Sequence, residues 1–268
     1  MPDGKGGRAD AGRRNRRVPA GGVNIFVGTS GWNYKHWKGP FYPAGIKDRE
    51  MLEFYGHSFS TVELNNSFYH LPLEKSVDNW RDSVPDNFIF AVKASRFITH
   101  IKRLKDCEEP VKNLLDRMGR LDKKLGPILF QTPPGLKFDP GKLKEFISVL
   151  PGKFRYVFEF RNPGWVNEET FKILADKKMT FCVYDFNGYF APWEITSDLV
   201  YFRLHGPAGK YAGSYPDSLL GELTAAFRKY AREGRAVFCY FDNDYAGNAA
   251  LNALTLKGFI ERAESRAA

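Results

Sequence analysis

From residue 24 onward, the chain alternates between short β-rich apolar runs and longer stretches in which apolar residues return every three or four positions. Eight runs of the first kind can be written out: NIFVGTS (24–30), STVELNNS (60–67), FIFAVKAS (88–95), PILFQTPP (127–134), YVFEFRN (156–162), TFCVYDF (180–186), LVYFRLHG (199–206) and AVFCYFDND (236–244). Their length and their Val, Ile, Phe and Tyr content predict buried strands. The stretches between them predict helices. Leu219, Leu223, Ala226, Phe227 and Tyr230 mark one face of such a helix. Asn167 ahead of Glu168 and Glu169 predicts an N-cap with an acidic first turn. Only the sixth connection, NGYFAPWEITSD, lacks a helical pattern, and the long third connection (96–126) is where an extra helix or lid is expected.

Strand alternating with helix implies parallel pairing, since a parallel connection needs a crossover. Eight such units, each about 30 residues long, predict an α/β fold: one TIM-barrel-like (β/α)8 domain over residues 23–268. An open doubly wound sheet is the competing architecture. No Pro/Gly/Ser-rich linker divides this span.

Charge then separates the tail from the barrel. Residues 1–22 carry Lys5, Arg8, Arg13, Arg14, Arg16 and Arg17 against Asp3 and Asp10, so +4 of the formal +9 lies there. A Gly/Arg-rich segment of this kind is expected to be disordered. It offers nonspecific contact with nucleic acid, although a solvated tail is the favoured expectation. No apolar run reaches the roughly 18 residues that span a bilayer, and the N-terminus lacks the apolar core of a secretory signal. The three cysteines, Cys107, Cys182 and Cys239, form no CxxC pair, and a reducing cytoplasmic setting is expected.

Chemistry gathers where the strand runs turn polar. In a barrel, active sites lie at the C-terminal ends of the strands. Here those ends carry Glu63 and Asn65, Lys93, Gln131, Glu159 and Arg161, Asp185, Arg203 and His205, and Asp242 with Asn243. The i, i+2 spacing within Glu63/Asn65, Glu159/Arg161 and Arg203/His205 puts each pair on one face of its strand. Glu159, His205, Glu63 and Asp185 are the candidate catalytic residues. His205 is the natural proton carrier, and Glu159 or Glu63 can serve as partner or base where burial raises its pKa. Trp32, Asn65, Lys93, Gln131, Arg161, Arg203, Lys210 and Asn243 are the candidate substrate-binding residues. Trp32 would offer a flat face beside the first strand. Arg203, Lys210 and the amides near Gly247 would cradle an anion between the seventh and eighth strand loops.

The charge balance favours a small polar substrate with one anionic group, phosphorylated or carboxylated and in some measure sugar-like. A metal-dependent hydrolase or phosphodiesterase assembled on Glu63, Glu159, Asp185 and His205 is the alternative, as is a barrel that binds a ligand or nucleic acid without turnover. No metal is expected, because Arg161 and Arg203 share the space and no HxH or HExxH spacing occurs. No cofactor is expected either, since neither a dinucleotide fingerprint nor a Walker loop is present.

The segments GTSGWNYKHWKGPFYP, VELNNSFY, FAVKASRFITH, LGPILFQTPP, FEFRNPGW, RLHG and FDNDYAGNAALNA together resemble the YecE-like family, domain of unknown function 72, from about residue 25 to 256 and in order. The resemblance implies a TIM-barrel-like fold and no established reaction. Thr132, Asn66 and Asp242 depart from the family's usual residues, and Asp242 adds a charge near the expected pocket.

Overall fold

The structure, a computed structural model, describes residues 24–266. Eight parallel strands form the barrel wall: β1 (Ile25–Thr29), β2 (Thr61–Leu64), β3 (Ile89–Lys93), β4 (Leu125–Thr132), β5 (Tyr156–Phe160), β6 (Thr180–Phe186), β8 (Leu199–Leu204) and β9 (Ala236–Phe241). The ninth, β7 (Tyr189–Phe190), folds back antiparallel onto β6. Hydrogen bonding runs β1-β9-β8-β6-β5-β4-β3-β2, which leaves a seam between β1 and β2. A Ser30–Glu63 bridge and a bond from the Gly31 amide to the Glu63 carbonyl, 2.9 Å, nearly close it. Gly28 makes this approach possible, since a Cβ there would sit 2.3 Å from the Thr61 carbonyl oxygen.

Helices cover the outside, as right-handed crossovers require. They are α1 (Met51–Ser58), α2 (Asn66–Tyr69), α3 (Glu74–Asp82), α4 (Glu108–Met118), α5 (Pro140–Ser148), α6 (Glu168–Asp176), α7 (Asp217–Arg232) and α8 (Asn248–Ser265). The predicted α/β barrel and its eight wall strands are therefore present. Asn167 caps α6 as expected, its side chain accepting from the Thr170 amide at 2.9 Å. The sixth connection indeed has no helix: Asn187 and Gly188 both take positive φ and turn the chain into β7. The third connection adds one helical turn at Phe97–Ile101. The expected basic tail, residues 1–22, lies outside the described residues.

Register fixes which side chains face the lumen, because in-register neighbours on parallel strands point to the same side. Starting from Glu63, the matched positions are Ala91 and then Lys93 with Leu129, Gln131 with Glu159, Cys182 with Tyr201, Tyr184 with Arg203, and Arg203 with Tyr240. Tyr240 pairs with Gly28, and Ser30, two residues on, bridges back to Glu63. The circuit returns to its starting face. Below the polar layer, Phe26, Phe238, Tyr201 and Tyr240 stack on one another and fill the lumen, so the barrel is a packed core with one polar end.

Candidate active site

Seven strands deliver polar side chains to that end: Ser30, Glu63 with Asn65, Lys93, Gln131, Glu159 with Arg161, Arg203 with His205, and Asp242. They form two levels. The lower level is an ion network shielded from solvent, made of Glu63, Glu159 and Arg203. Arg203 donates from Nε to Glu63 Oε2 at 2.9 Å, from Nη2 to Glu63 Oε1 at 2.7 Å, and from Nη1 to Glu159 Oε2 at 2.8 Å. Glu63 also accepts from Ser30 Oγ at 2.5 Å and from Tyr201 OH at 2.7 Å. Both Glu63 oxygens and Glu159 Oε2 are thereby engaged, and Arg161 takes the remaining Glu159 oxygen, which is what makes buried charges tolerable.

The upper level rests on it. Arg161 pairs with Glu159 through Nε and stacks over Phe186, its Cζ 3.9 Å from the ring centre. Arg161 Nη2 lies 2.8 Å and Arg203 Nη1 3.2 Å from His205 Nε2. Guanidinium nitrogens only donate, so Nε2 accepts and the ring proton sits on Nδ1. Nδ1 in turn lies 2.8 Å from Asp242 Oδ2. Asp242 faces the lumen and keeps a partly open edge, 14% exposed. Lys93 is half-buried, with Nζ 4.3 Å from the centre of the Phe68 ring.

Electrostatics divides the roles. Burial alone would raise the pKa of Glu159, but Arg161 and Arg203 outweigh it and hold its carboxyl well below the usual range. The expectation of a base tuned upward by burial is therefore corrected: Glu159 is a fixed counter-ion. Asp242 also lies low, because its hydrogen bond to His205 and the charges of Arg203 and Lys93 overcome its burial. Lys93 moves down to about 8, chiefly through burial and then through the nearby Arg203 charge.

Four other expectations are corrected. Asp185 pairs in register with Leu204, one residue out of phase with Arg203, and so faces away from the lumen. There its carboxylate accepts from the His205 amide and the Tyr215 hydroxyl. Asn243 is buried with the same outward phase as Phe241 and donates to Gly213 O at 2.9 Å and Asn252 Oδ1 at 2.8 Å, tying two loops together. Trp32 is only 7% exposed and packs edge-on against Trp80 of α3, so it offers little surface to a ligand. Lys210 is exposed on its loop, with Nζ over Tyr211. The expected phosphate cradle does not assemble, because Arg203 is consumed by carboxylates and the Gly247 amide already bonds Asp244 O at 3.1 Å.

Asn65 and Gln131 sit on the lumen face of β2's end and β4. Asn65 donates to Ser30 Oγ at 2.8 Å, and its buried Oδ1 has no hydrogen-bond partner. Among the described residues, no group of three or more His, Cys, Asp or Glu side chains is placed to hold a metal ion. Sequence reasoning missed Ser30, Tyr201 and Phe68. Tyr201 was within reach, since it lies two residues before Arg203 on the same face.

A protein-family model, described as protein of unknown function DUF72, matches residues 26–267. The chain belongs to the DUF72 family. It is 33% identical over 142 residues to UPF0759 protein YecE of Escherichia coli K12, a stretch covering 52% of this chain and 49% of that protein. The match thus spans about half the length of this curated relative. A crystal structure of a DUF72 family protein from Thermotoga maritima superposes with a TM-score of 0.79 at 31% identity, over 88% of this chain and 99% of that one. Another, from Enterococcus faecalis, gives 0.77 at 22% identity over 88% and 95%, and so speaks to the fold alone. The family carries no assigned reaction in its description, and no helix among the described residues is long and apolar enough to cross a membrane.

Proposed function

We propose that the polar mouth of this barrel is an active site for a small anionic substrate, phosphorylated or carboxylated, and that His205 moves the proton. The observation that carries this reading is the contact of His205 Nε2 with Arg161 Nη2 at 2.8 Å, opposite the Nδ1–Asp242 bond. An oxyanion is a better acceptor for a guanidinium than an imidazole nitrogen is. A substrate phosphate or carboxylate that takes the Arg161 donor removes the shorter of the two contacts on Nε2 and leaves only the longer one, to Arg203 at 3.2 Å, so the lone pair is largely freed beside the bound molecule. Nε2 then accepts a substrate proton, and Asp242 stabilises the imidazolium that forms. Substrate binding and base activation become one event. Glu63, Glu159 and Arg203 keep the floor rigid and leave it one net negative charge, and neutrality is reached only over the whole mouth, where Lys93, Arg161 and Arg203 balance Glu63, Glu159 and Asp242.

The metal-dependent alternative finds no support in the donor geometry, since Arg203 lies bonded between Glu63 and Glu159 and Asp185 faces outward. Nucleic-acid binding through residues 1–22 concerns a segment outside the described residues.

Calorimetric titration with inorganic phosphate and with small carboxylates tests binding, and a metabolite screen tests turnover. Arg161→Ala is expected to abolish anion binding, and His205→Ala to abolish turnover while leaving binding largely intact. Unchanged binding in the first and unchanged turnover in the second would remove the assignment.

A further inference from the structure

Lys93 differs from the other lumen cations in having nothing to do. Arg161 and Arg203 are held by Glu159 and Glu63, yet among the described residues Lys93 Nζ has neither a hydrogen-bond acceptor nor an ion-pair partner. Its position is nevertheless fixed. The fully buried Ser67 donates from Oγ to the Lys93 carbonyl at 2.7 Å, and Phe68, the next residue of α2, places its ring under Nζ at 4.3 Å. A lysine meant only to attract anions is best left beside a carboxylate that keeps it charged. Here the arginines hold Glu63 and Glu159, and the amine is left in the wall of the lumen with no counter-ion in contact, where burial makes losing its proton cheaper, although the Phe68 ring by itself favours the charged form.

We infer that Lys93 is a nucleophile that forms a reversible imine with an anionic carbonyl compound, the anion lying on Arg161 and the carbonyl carbon against Nζ. The inference rests on the proposed anion site and names its substrate class. The depressed basicity of this amine, down to about 8, agrees with that role. The Nζ lone pair attacks the carbonyl carbon, and the C=O π pair moves onto oxygen. That oxygen takes up the proton that nitrogen gives away, which yields a carbinolamine. Expulsion of the hydroxyl with a further proton, as water, forms the C=N bond. The sum is amine plus carbonyl to imine plus water, with no oxidant or reductant. His205 Nε2, the base proposed above for this mouth, would carry these protons.

The test uses the full chain with glyoxylate as the probe and sodium cyanoborohydride to reduce the imine to a stable secondary amine, read by peptide mass spectrometry. Near neutrality, an amine with a pKa near 8 has a far larger free fraction than an ordinary lysine, so Lys93 is expected to be labelled at least about tenfold faster than exposed Lys210. Acetaldehyde, which lacks the anion, is expected to label Lys93 more slowly than glyoxylate does. Labelling of Lys93 no faster than Lys210 overturns the imine. Equal labelling by the two aldehydes overturns the anionic substrate class. Phosphate, which has no carbonyl, reports the anion site independently: phosphate bound without a Lys93 adduct sinks this inference and leaves the site standing. An adduct without phosphate binding sinks the site.

Discussion

Arg203 grips Glu63 with a fork, Nη2 2.7 Å from Oε1 and Nε 2.9 Å from Oε2, and neither side chain is reached by solvent. The same guanidinium reaches Glu159 with its remaining nitrogen, so one residue of β8 joins β2 to β5 across the lumen. A lysine ammonium is a point charge and cannot divide itself this way. Arg203→Lys is therefore expected to lower unfolding free energy by about 3 kcal/mol, at the low end of what breaking a buried pair costs. Urea denaturation measures it. A loss under about 1 kcal/mol would mean that the fork adds little to stability.

The depressed carboxyls give an acid limb with a definite sign. Glu159 lies well below its ordinary value of 4.5, and Asp242 below 3.8. In the interval beneath those values the unfolded chain binds more protons than the folded one, so stability falls as pH falls. Above them the contribution is fully present. Melting temperature is expected to stay flat from neutrality down to about pH 5 and then drop. Glu159→Gln should be less stable than the parent near neutrality, and the gap should narrow in acid. A gap that stays constant to the lowest measurable pH would show that the Glu159 charge does not matter.

Lys93 has the opposite consequence. Its folded value, about 8, lies below the 10.5 of a free lysine, so between these the unfolded chain holds a proton that the folded one has lost. By the same linkage, its contribution makes stability rise with pH across that interval, and near neutrality the charged amine is a liability. Lys93→Met is expected to stabilise the fold near neutrality by about 1 kcal/mol, with allowance for the partial exposure of the side chain. The advantage should vanish near pH 10.5. Thermal melts at both ends decide it, and a variant destabilised near neutrality contradicts the electrostatic assignment.

The His205 ring makes a spectroscopic prediction. With Nε2 accepting from Arg161 and Arg203 and Nδ1 donating to Asp242, long-range nitrogen–proton correlation should show the Nδ1–H tautomer. Asp242→Asn, whose amide can donate as well as accept, is expected to weaken that preference. Observation of the Nε2–H tautomer in the parent protein would reverse the donor order and with it the proposed release of a base.

The barrel was legible because eight apolar runs at regular spacing leave few ways to close a parallel sheet. Most of the polar ring was legible too, because i, i+2 pairs such as Glu159/Arg161 announce a shared face. What could not be read was the phase of each strand. TFCVYDF is apolar on both faces, since the lumen side packs on other strands and the outer side on helices. Nothing in that run tells Asp185 from Tyr184, and register shows Tyr184 beside Arg203. Charge state was hidden for a different reason. Whether burial raises Glu159 or two arginines lower it depends on which residues meet across the lumen, such as Arg203 from 44 positions away.

The outward phase of Asp185 yields a last prediction. Its two oxygens accept from the His205 amide and the Tyr215 hydroxyl, and Tyr215 OH in turn accepts from the Gly206 amide at 2.6 Å. This chain fastens the loop after β8 to the outside of the barrel and never enters the mouth. Tyr215→Phe removes the bridging oxygen and leaves both a buried amide and a carboxylate oxygen without a partner, at a cost of about 2 kcal/mol. Phosphate affinity should remain within about twofold of the parent, since every donor proposed to bind it lies on the opposite face of the wall. Denaturation and calorimetry on this single variant separate the two faces. Lost phosphate binding with undiminished stability would put Asp185 back inside the site.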